Sequence, residues 1–323
     1  MLSLRGLFSR REGRVEERRD VETVSVTRRT IVLSAILGAA SLPLVLVYVL
    51  LVLTSFSKDV VTGVELLQGR GVEWTLANWA ALLSGQLSTI LPGTVTVNIY
   101  SAILNTLLIA FGVMVVVVVA STLAGYAFSR MRFPGRRGLM QFIILLHAFP
   151  GVALLIGVYM VYLWLLNAFF ARAPGLRDAY VIAYTILARA SLEIPMSIWL
   201  MKGFFDKIPW EVEWSALVDG ASRLRVWWEI LLPQVKPGIA ALAIFSFLAG
   251  WEDFVYVYVF TYLGTGGRMF TLATLIEQLV SRIETAELPL AAAAGVLYLL
   301  PTLIFFILTQ RLLLEAYAGG VKG

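Results

Sequence analysis

The sequence predicts an all-α integral membrane fold with six transmembrane helices, and three observations predict it. Apolar residues make up 59% of the 323 residues and charged residues only 15%, against about 25% charged in a typical soluble domain. Mean hydropathy is +0.83, so a water-facing globule built from this chain would expose aliphatic surface that water penalises. Six stretches reach the roughly 20 apolar residues needed to cross a hydrocarbon core. Basic residues concentrate on alternate connections between them, as insertion favours.

The elements follow in order. Residues 1–30 form a charged tail in which eight arginines (Arg5, Arg10, Arg11, Arg14, Arg18, Arg19, Arg28 and Arg29) mix with Glu12, Glu16, Glu17, Asp20 and Glu22. That mixture reads as a solvated, flexible or surface-helical tail, with a lipid-surface or regulatory role as the second reading. The basic stretch is longer than a signal peptide's start, and the span after it is long enough to cross. It is read as an uncleaved first helix. The spans are Ile31–Phe56, Asn98–Phe128, Leu139–Leu166, Tyr180–Phe205, Gly238–Tyr262 and Leu288–Leu314. The fourth is interrupted by Arg189 and Glu193, and the fifth by Glu252 and Asp253. Pro150, Pro195 and Pro301 are expected to kink their helices. Residues 57–97 form an extracytoplasmic loop of unusual length, which argues for a role.

Charge sets the orientation. The tail, the connections after spans two and four, and the C-terminal end hold 19 of the 26 basic residues, the opposite connections hold six, and Arg189 lies within a span. Basic segments stay cytoplasmic, so both termini are expected in the cytoplasm of a multi-pass plasma-membrane protein. Composition also excludes chemistry. There is no cysteine, which removes disulfides, thiolate metal sites and cysteine nucleophiles, and the single histidine, His147, excludes a multi-histidine zinc site. No catalytic, metal-binding or nucleic-acid-binding residues are expected. No Gly-x-x-x-x-Gly-Lys-[Ser/Thr] stretch for nucleotide phosphates occurs.

The informative connection is residues 206–237, between spans four and five. Pro209 suits a helix start, with Glu211 and Glu213 near the positive end of the dipole. Trp214, Leu217 and Val218 recur at helical spacing, and Gly220 permits a sharp turn. A second short helix is expected from about Ser222 to Leu231, ended by Pro233. This helix–turn–helix is too short and too charged to cross the membrane, yet it displays aromatic and apolar side chains to water, which points to a protein partner.

These residues resemble a known family. Asp219-Gly220-Ala221, followed by Ile230-Leu231-Leu232-Pro233, is similar to the cytoplasmic coupling loop of type I ABC importer permeases. The segments 125–135, 149–155 and 194–205 and the Trp251-Glu252-Asp253-Phe254 run match further family segments. Gln310-Arg311 and Gly319–Gly323 are similar to the tail of the maltose- and trehalose-type subunits. The family's Glu-Ala-Ala falls on Trp214-Ser215-Ala216. The glutamate position is therefore a tryptophan, and Glu213 stands one residue earlier, about 100° around the helix.

The resemblance implies the type I importer permease fold, with residues 98–314 as its five-helix core, a cytoplasmic coupling helix between spans four and five, and residues 315–323 as a cytoplasmic tail. It implies one half of a pathway for a sugar, a di- or oligosaccharide such as maltose or trehalose. Implied partners are a second permease subunit in a heterodimer, two ATPase subunits that hold Mg-ATP, an extracytoplasmic sugar-binding protein and the lipid bilayer. The chain itself would hold no cofactor and catalyse nothing. Glu213, Trp214, Ser215, Ala216, Asp219, Gly220, Ala221, Ile230, Leu232 and Pro233 are the expected ATPase-coupling residues, and Gln310, Arg311 and Lys322 the expected tail contacts.

Within the spans, Trp251, Tyr258 and Tyr262 fall on one helical face, and Tyr159, Tyr162 and Tyr184 are further aromatic candidates, with core packing as the alternative. Arg189 and Glu193 stand four residues apart, so they face the same way. Together with Glu252 and Asp253 they read either as a pathway or gate or as structural ion pairs. The same four charges support the rival class, a secondary transporter driven by an ion gradient. That class leaves the 206–237 loop unexplained, and no inverted repeat of the spans is evident. An intramembrane enzyme lacks a Ser–His, paired-aspartate or His-Glu-x-x-His motif.

Overall fold

A long central helix organises the structure, a computed structural model that describes residues 5–69, 71–85, 98–170, 174–281 and 288–320, with side chains from 28 to 307. The helices run in order: α1 Arg5–Ser55, α2 Gly63–Leu67, α3 Ala77–Leu83, α4 Ile99–Arg130, α5 Arg136–His147, α6 Gly151–Leu165, α7 Arg177–Asp206, α8 Trp210–Val218, α9 Arg223–Val226, α10 Leu232–Gln234, α11 Lys236–Trp251, α12 Val255–Val257, α13 Leu272–Ser281 and α14 Leu288–Gly320. Among the described residues, five helices are long and apolar enough to cross a membrane, and six if α9–α10 and α11, which meet at 73°, count as one.

The central helix α4 is almost continuously aliphatic and packs on α7 along one side and α11 along another. Small residues set the closeness, as is usual where apolar helices cannot rely on water to drive them together. Gly112 sits against Ile186, Gly125 against the backbone of Met201–Lys202, and Gly250 against Ala110. Ile109, Val113 and Val117 of α4, Ala190 and Met201 of α7 and Leu242 of α11 form the middle of this core. The first helix stands apart from it, packed along α14.

The 57–97 segment is ordered where it is described. Thr62 and Glu65 form a reciprocal capping box at the start of α2. An antiparallel bridge joins Ser57 to Trp74. The Asn78 side-chain amide donates to the Ser55 and Ser57 carbonyls at 3.2 and 2.7 Å, and Phe56 stacks on Trp79 at 5.5 Å. Residues 86–97 lie outside the described part.

Several expectations from sequence change here. Leu139–Leu166 is two helices, because the chain breaks at Ala148–Pro150 and Pro150 starts α6 instead of kinking it. Pro195 and Pro301 lie inside uninterrupted helices. Gly238–Tyr262 also breaks. α11 ends at Trp251, and the Asp253 carboxylate then caps the restart, accepting the Tyr256 and Val257 N–H groups at 2.9 and 3.2 Å. Pro233 does not end the second loop helix, which continues to Gln234. A π turn over Trp227–Leu231 precedes it, and Pro233 falls in the first turn of α10, a position that tolerates a missing N–H.

A Cβ on Gly125 would lie 2.7 Å from the Met201 Cβ and 2.9 Å from the Lys202 nitrogen. Gly125→Ala is therefore expected to destabilise the α4–α7 contact by about 1–3 kcal/mol. Gly157→Ala, where nothing lies within 4 Å, is the control. Thermal unfolding of the detergent-purified complex reads the difference.

Candidate functional site

Two regions gather the residues singled out by sequence: the α8–α10 hairpin at one end of α4 and α7, and a polar cleft halfway along α7. The hairpin turn is set by Asp219-Gly220-Ala221. Asp219 is the C-cap of α8, and Gly220 takes φ +87°, a left-handed conformation that glycine adopts without strain. Ala221 N–H then donates to the Ala216 carbonyl at 3.0 Å and Gly220 N–H to the Leu217 carbonyl at 3.1 Å, the paired closure of a Schellman motif. Ser222 starts the next helix, accepting the Arg225 N–H at 3.3 Å.

The hairpin is two-faced. Leu217, Ala221, Val226, Ile230, Leu231 and Leu232 pack inward on α4 and α7. Trp214 and Val218 point outward, 59% and 83% exposed, together with Trp210, Leu224 and Trp228. Ser215, Asp219 and Pro233 are exposed among them and Ala216 is half-buried. Arg225 and Glu229 pair on this surface at 2.8 Å, and the Glu229 hydrogen bond pushes the Arg225 guanidinium pKa up.

Glu213 departs from its expected place at the docking surface. Its side chain is 6% exposed and lies 3.5 Å from Arg130 Nε, with the Tyr126 hydroxyl donating to its other oxygen at 3.4 Å. Arg130 ends α4. Its Nη2 donates to the Phe205 and Ile208 carbonyls at 2.9 and 2.6 Å, and its guanidinium stacks over the Trp210 ring at 4.6 Å. The Phe205 carbonyl lies in the last turn of α7 and the Ile208 carbonyl just past its end, where the helix dipole is negative. Nearby, the Ser129 hydroxyl donates to Asp206 at 2.6 Å. Charge counting had treated Arg130 as one basic loop residue among four. The signal for its role was the i, i+4 spacing of Tyr126 and Arg130 at the end of a span.

The cleft encloses about 610 Å³ between the break at 148–150, the middle of α7 and the break at 252–254. Arg189 lies 2.9 Å from Glu193 and 2.7 Å from Asp253. His147 Nδ1 is 3.1 Å from the Leu192 carbonyl, and the Tyr256 hydroxyl donates to the Gly151 carbonyl at 2.7 Å, tying the two breaks together.

The remaining candidates disperse. Glu252 faces away from Asp253 and accepts the Thr302 hydroxyl at 3.1 Å. Trp251 and Tyr262 belong to the same apolar cluster although the helix breaks between them. Trp251 is 3% exposed, stacks on Tyr298 at 5.7 Å and donates to the Tyr298 carbonyl at 3.0 Å. Tyr258 and Tyr262 stack on each other at 5.3 Å. The Tyr180 and Tyr184 hydroxyls donate to the Tyr162 and Val158 carbonyls at 2.8 and 2.6 Å, and Tyr162 is fully buried. These rings pack the core. Gln310 and Arg311 lie in α14 with side chains outside the described residues, as Lys322 is altogether.

With this geometry in place, similarity to known proteins becomes interpretable. The family model described as "Binding-protein-dependent transport system inner membrane component" matches residues 117–314. The maltodextrin transport system permease protein MdxG of Bacillus subtilis is 32% identical over 283 residues, 87% of this chain and 93% of that protein. The trehalose transport system permease protein SugB of Mycobacterium tuberculosis is 27% identical over 246 residues, 72% of this chain and 85% of that one. Among solved structures, a bacterial ABC transporter involved in the import of the acidic polysaccharide alginate superimposes with a TM-score of 0.57 at 18% identity, covering 87% of this chain and 95% of its own. That likeness concerns the fold.

Truncating Arg130 leaves a buried carboxylate without its cation. Arg130→Ala is expected to destabilise the protein by about 3–5 kcal/mol and to expose the 206–237 hairpin to protease. Arg130→Ala with Glu213→Gln is expected to recover part of that loss. Thermal unfolding and limited proteolysis measure both.

Proposed function

We propose, from the premise that the chain belongs to the family of binding-protein-dependent transport system inner membrane components, that it forms half of the sugar pathway in an ATP-driven importer. As a permease subunit of this multi-pass membrane family it is not itself an enzyme. ATP hydrolysis falls to two ATPase subunits holding Mg-ATP, and a second, different permease subunit completes the pathway. An extracytoplasmic binding protein delivers a di- or oligosaccharide of the maltose or trehalose kind, in keeping with what the named relatives transport. Both termini and the hairpin face the cytoplasm in this reading, in accord with the distribution of arginine and lysine.

The observation that carries the reading is the outward apolar face of the hairpin, where Trp214 and Val218 stand 59% and 83% exposed. Outward tryptophan and valine on a rigid, capped turn suit the groove of a partner protein. Trp214, Ser215, Asp219 and the Gly220 turn form the contact, and Glu213 acts from behind it by holding the hairpin to Arg130. Residues 310–323 reach the ATPase pair as a secondary contact. The rival ion-gradient reading leaves this face without a use.

Affinity purification from native membranes tests it. The wild-type chain is expected to retain an ATPase subunit, and Trp214→Asp with Val218→Asp to lose it by at least tenfold while keeping the second permease. An unaided chain that moves solute, or undiminished ATPase retention by the double variant, contradicts the reading.

A further inference from the structure

The cleft on α7 has a chemical bias that the family assignment does not supply. It lies where two helices break, at Ala148–Pro150 and Glu252–Phe254, and interrupted helices free polar backbone and side chains for solute contact at membrane depth. Arg189 is about 18 Å along the roughly 45 Å of α7, taking 1.5 Å per residue. Charges at such a depth do not face lipid, so the cleft opens to protein or to water. Its volume, about 610 Å³, lies within the roughly 300–1,000 Å³ of small-molecule sites.

Beside the remaining N–H groups of Arg189, the groups left to meet a solute are acceptors. Arg189 occupies one Glu193 oxygen and one Asp253 oxygen, and the other Asp253 oxygen caps α12. The second Glu193 oxygen has no hydrogen bond among the described residues, and the side chain is 30% exposed. The Leu192 carbonyl can only accept, so neutral His147 places its proton on Nδ1 and leaves Nε2 as an acceptor. Phe149, 55% exposed at the rim, offers an apolar face. Apart from His147, the one cation and two carboxylates lining the cleft, Arg189, Glu193 and Asp253, sum to a charge of −1.

We propose that this cleft is a solute-contact site selective for uncharged polyhydroxylated solutes, with Glu193 and His147 accepting solute hydroxyl hydrogen bonds and Phe149 packing on the solute's apolar face. Arg189 and Asp253 are positioning residues that hold Glu193 in place. The negative balance repels phosphorylated polyols and acidic sugars. The proposal rests on the importer reading above and narrows its cargo.

The test uses the assembled importer in ATP-loaded proteoliposomes, with radiolabelled maltotriose and glycerol 3-phosphate as probes. In Glu193→Gln, maltotriose uptake is expected to fall about tenfold further than ATP hydrolysis does, the scale of one charge-assisted hydrogen bond. Glu193→Asp is expected to restore part of it. Val152→Trp, which fills the exposed mouth without touching the charges, is expected to reduce uptake in the same uncoupled way. Unchanged uptake in Glu193→Gln and Val152→Trp overturns the site, as does a parallel loss of uptake and hydrolysis, which marks a latch. A wild-type importer that moves glycerol 3-phosphate in preference to maltotriose overturns the proposed selectivity. A wild-type importer that moves neither of these probes, nor radiolabelled maltose or trehalose, contradicts the sugar reading of the preceding section instead.

Discussion

One buried guanidinium fixes the geometry of the hairpin end. Arg130 closes α4 with its side chain 1% exposed, and its Nη2 donates to the Phe205 carbonyl in the last turn of α7 and to the Ile208 carbonyl just past it. Its charge faces Glu213 on α8, and its flat face lies on Trp210. A buried cation is tolerated only when surrounded in this way. The consequence is mechanical: three helices from separate parts of the chain share one interaction, so none can shift without leaving a charge or a carbonyl unpaired. The outward face of the hairpin is rigid because its inward face is held.

The same helix, α7, extends that rigidity toward the cleft. It offers the Phe205 carbonyl to Arg130 at its end and Arg189 and Glu193 at its middle, about 24 Å away at 1.5 Å per residue. Close packing of Gly125 on Met201–Lys202 binds α7 to α4 between these points. A force applied to the hairpin therefore acts on a helix pair and not on a loop. The two broken spans that meet α7 at the cleft are joined to it through Asp253 and to each other through the Tyr256–Gly151 hydrogen bond. A partner that binds the hairpin shifts the cleft only to the extent that it binds one arrangement of these parts more tightly than another.

Much of the fold was legible because it depends on local pattern. Apolar length located the spans, and Asp219-Gly220 announced a turn whose hydrogen bonds follow from helix-capping rules. The Arg189–Glu193 pairing followed from i, i+4 spacing. What sequence did not disclose is long-range. Arg130 and Glu213 are 83 positions apart, and the i, i+4 spacing of Tyr126 and Arg130 marks a shared helix face without naming the partner that Arg130 turns toward. The break after Trp251 was hidden because an Asp that caps a helix and an Asp within a helix look alike until the backbone is seen. The placing of Trp251, Tyr258 and Tyr262 on one helical face rests on a continuous helix, and the helix breaks after Trp251.

The central claim is that the hairpin moves as one body with the ends of α4 and α7. The chain has no cysteine, so spin labels on Arg132→Cys and Asp219→Cys, both exposed, report one intramolecular distance in an importer whose partner subunits are likewise cysteine-free. The account predicts the same narrow distance distribution in the nucleotide-free and ATP-trapped states. A distribution that shifts or broadens between them would show the hairpin hinging independently of α4 and would contradict it.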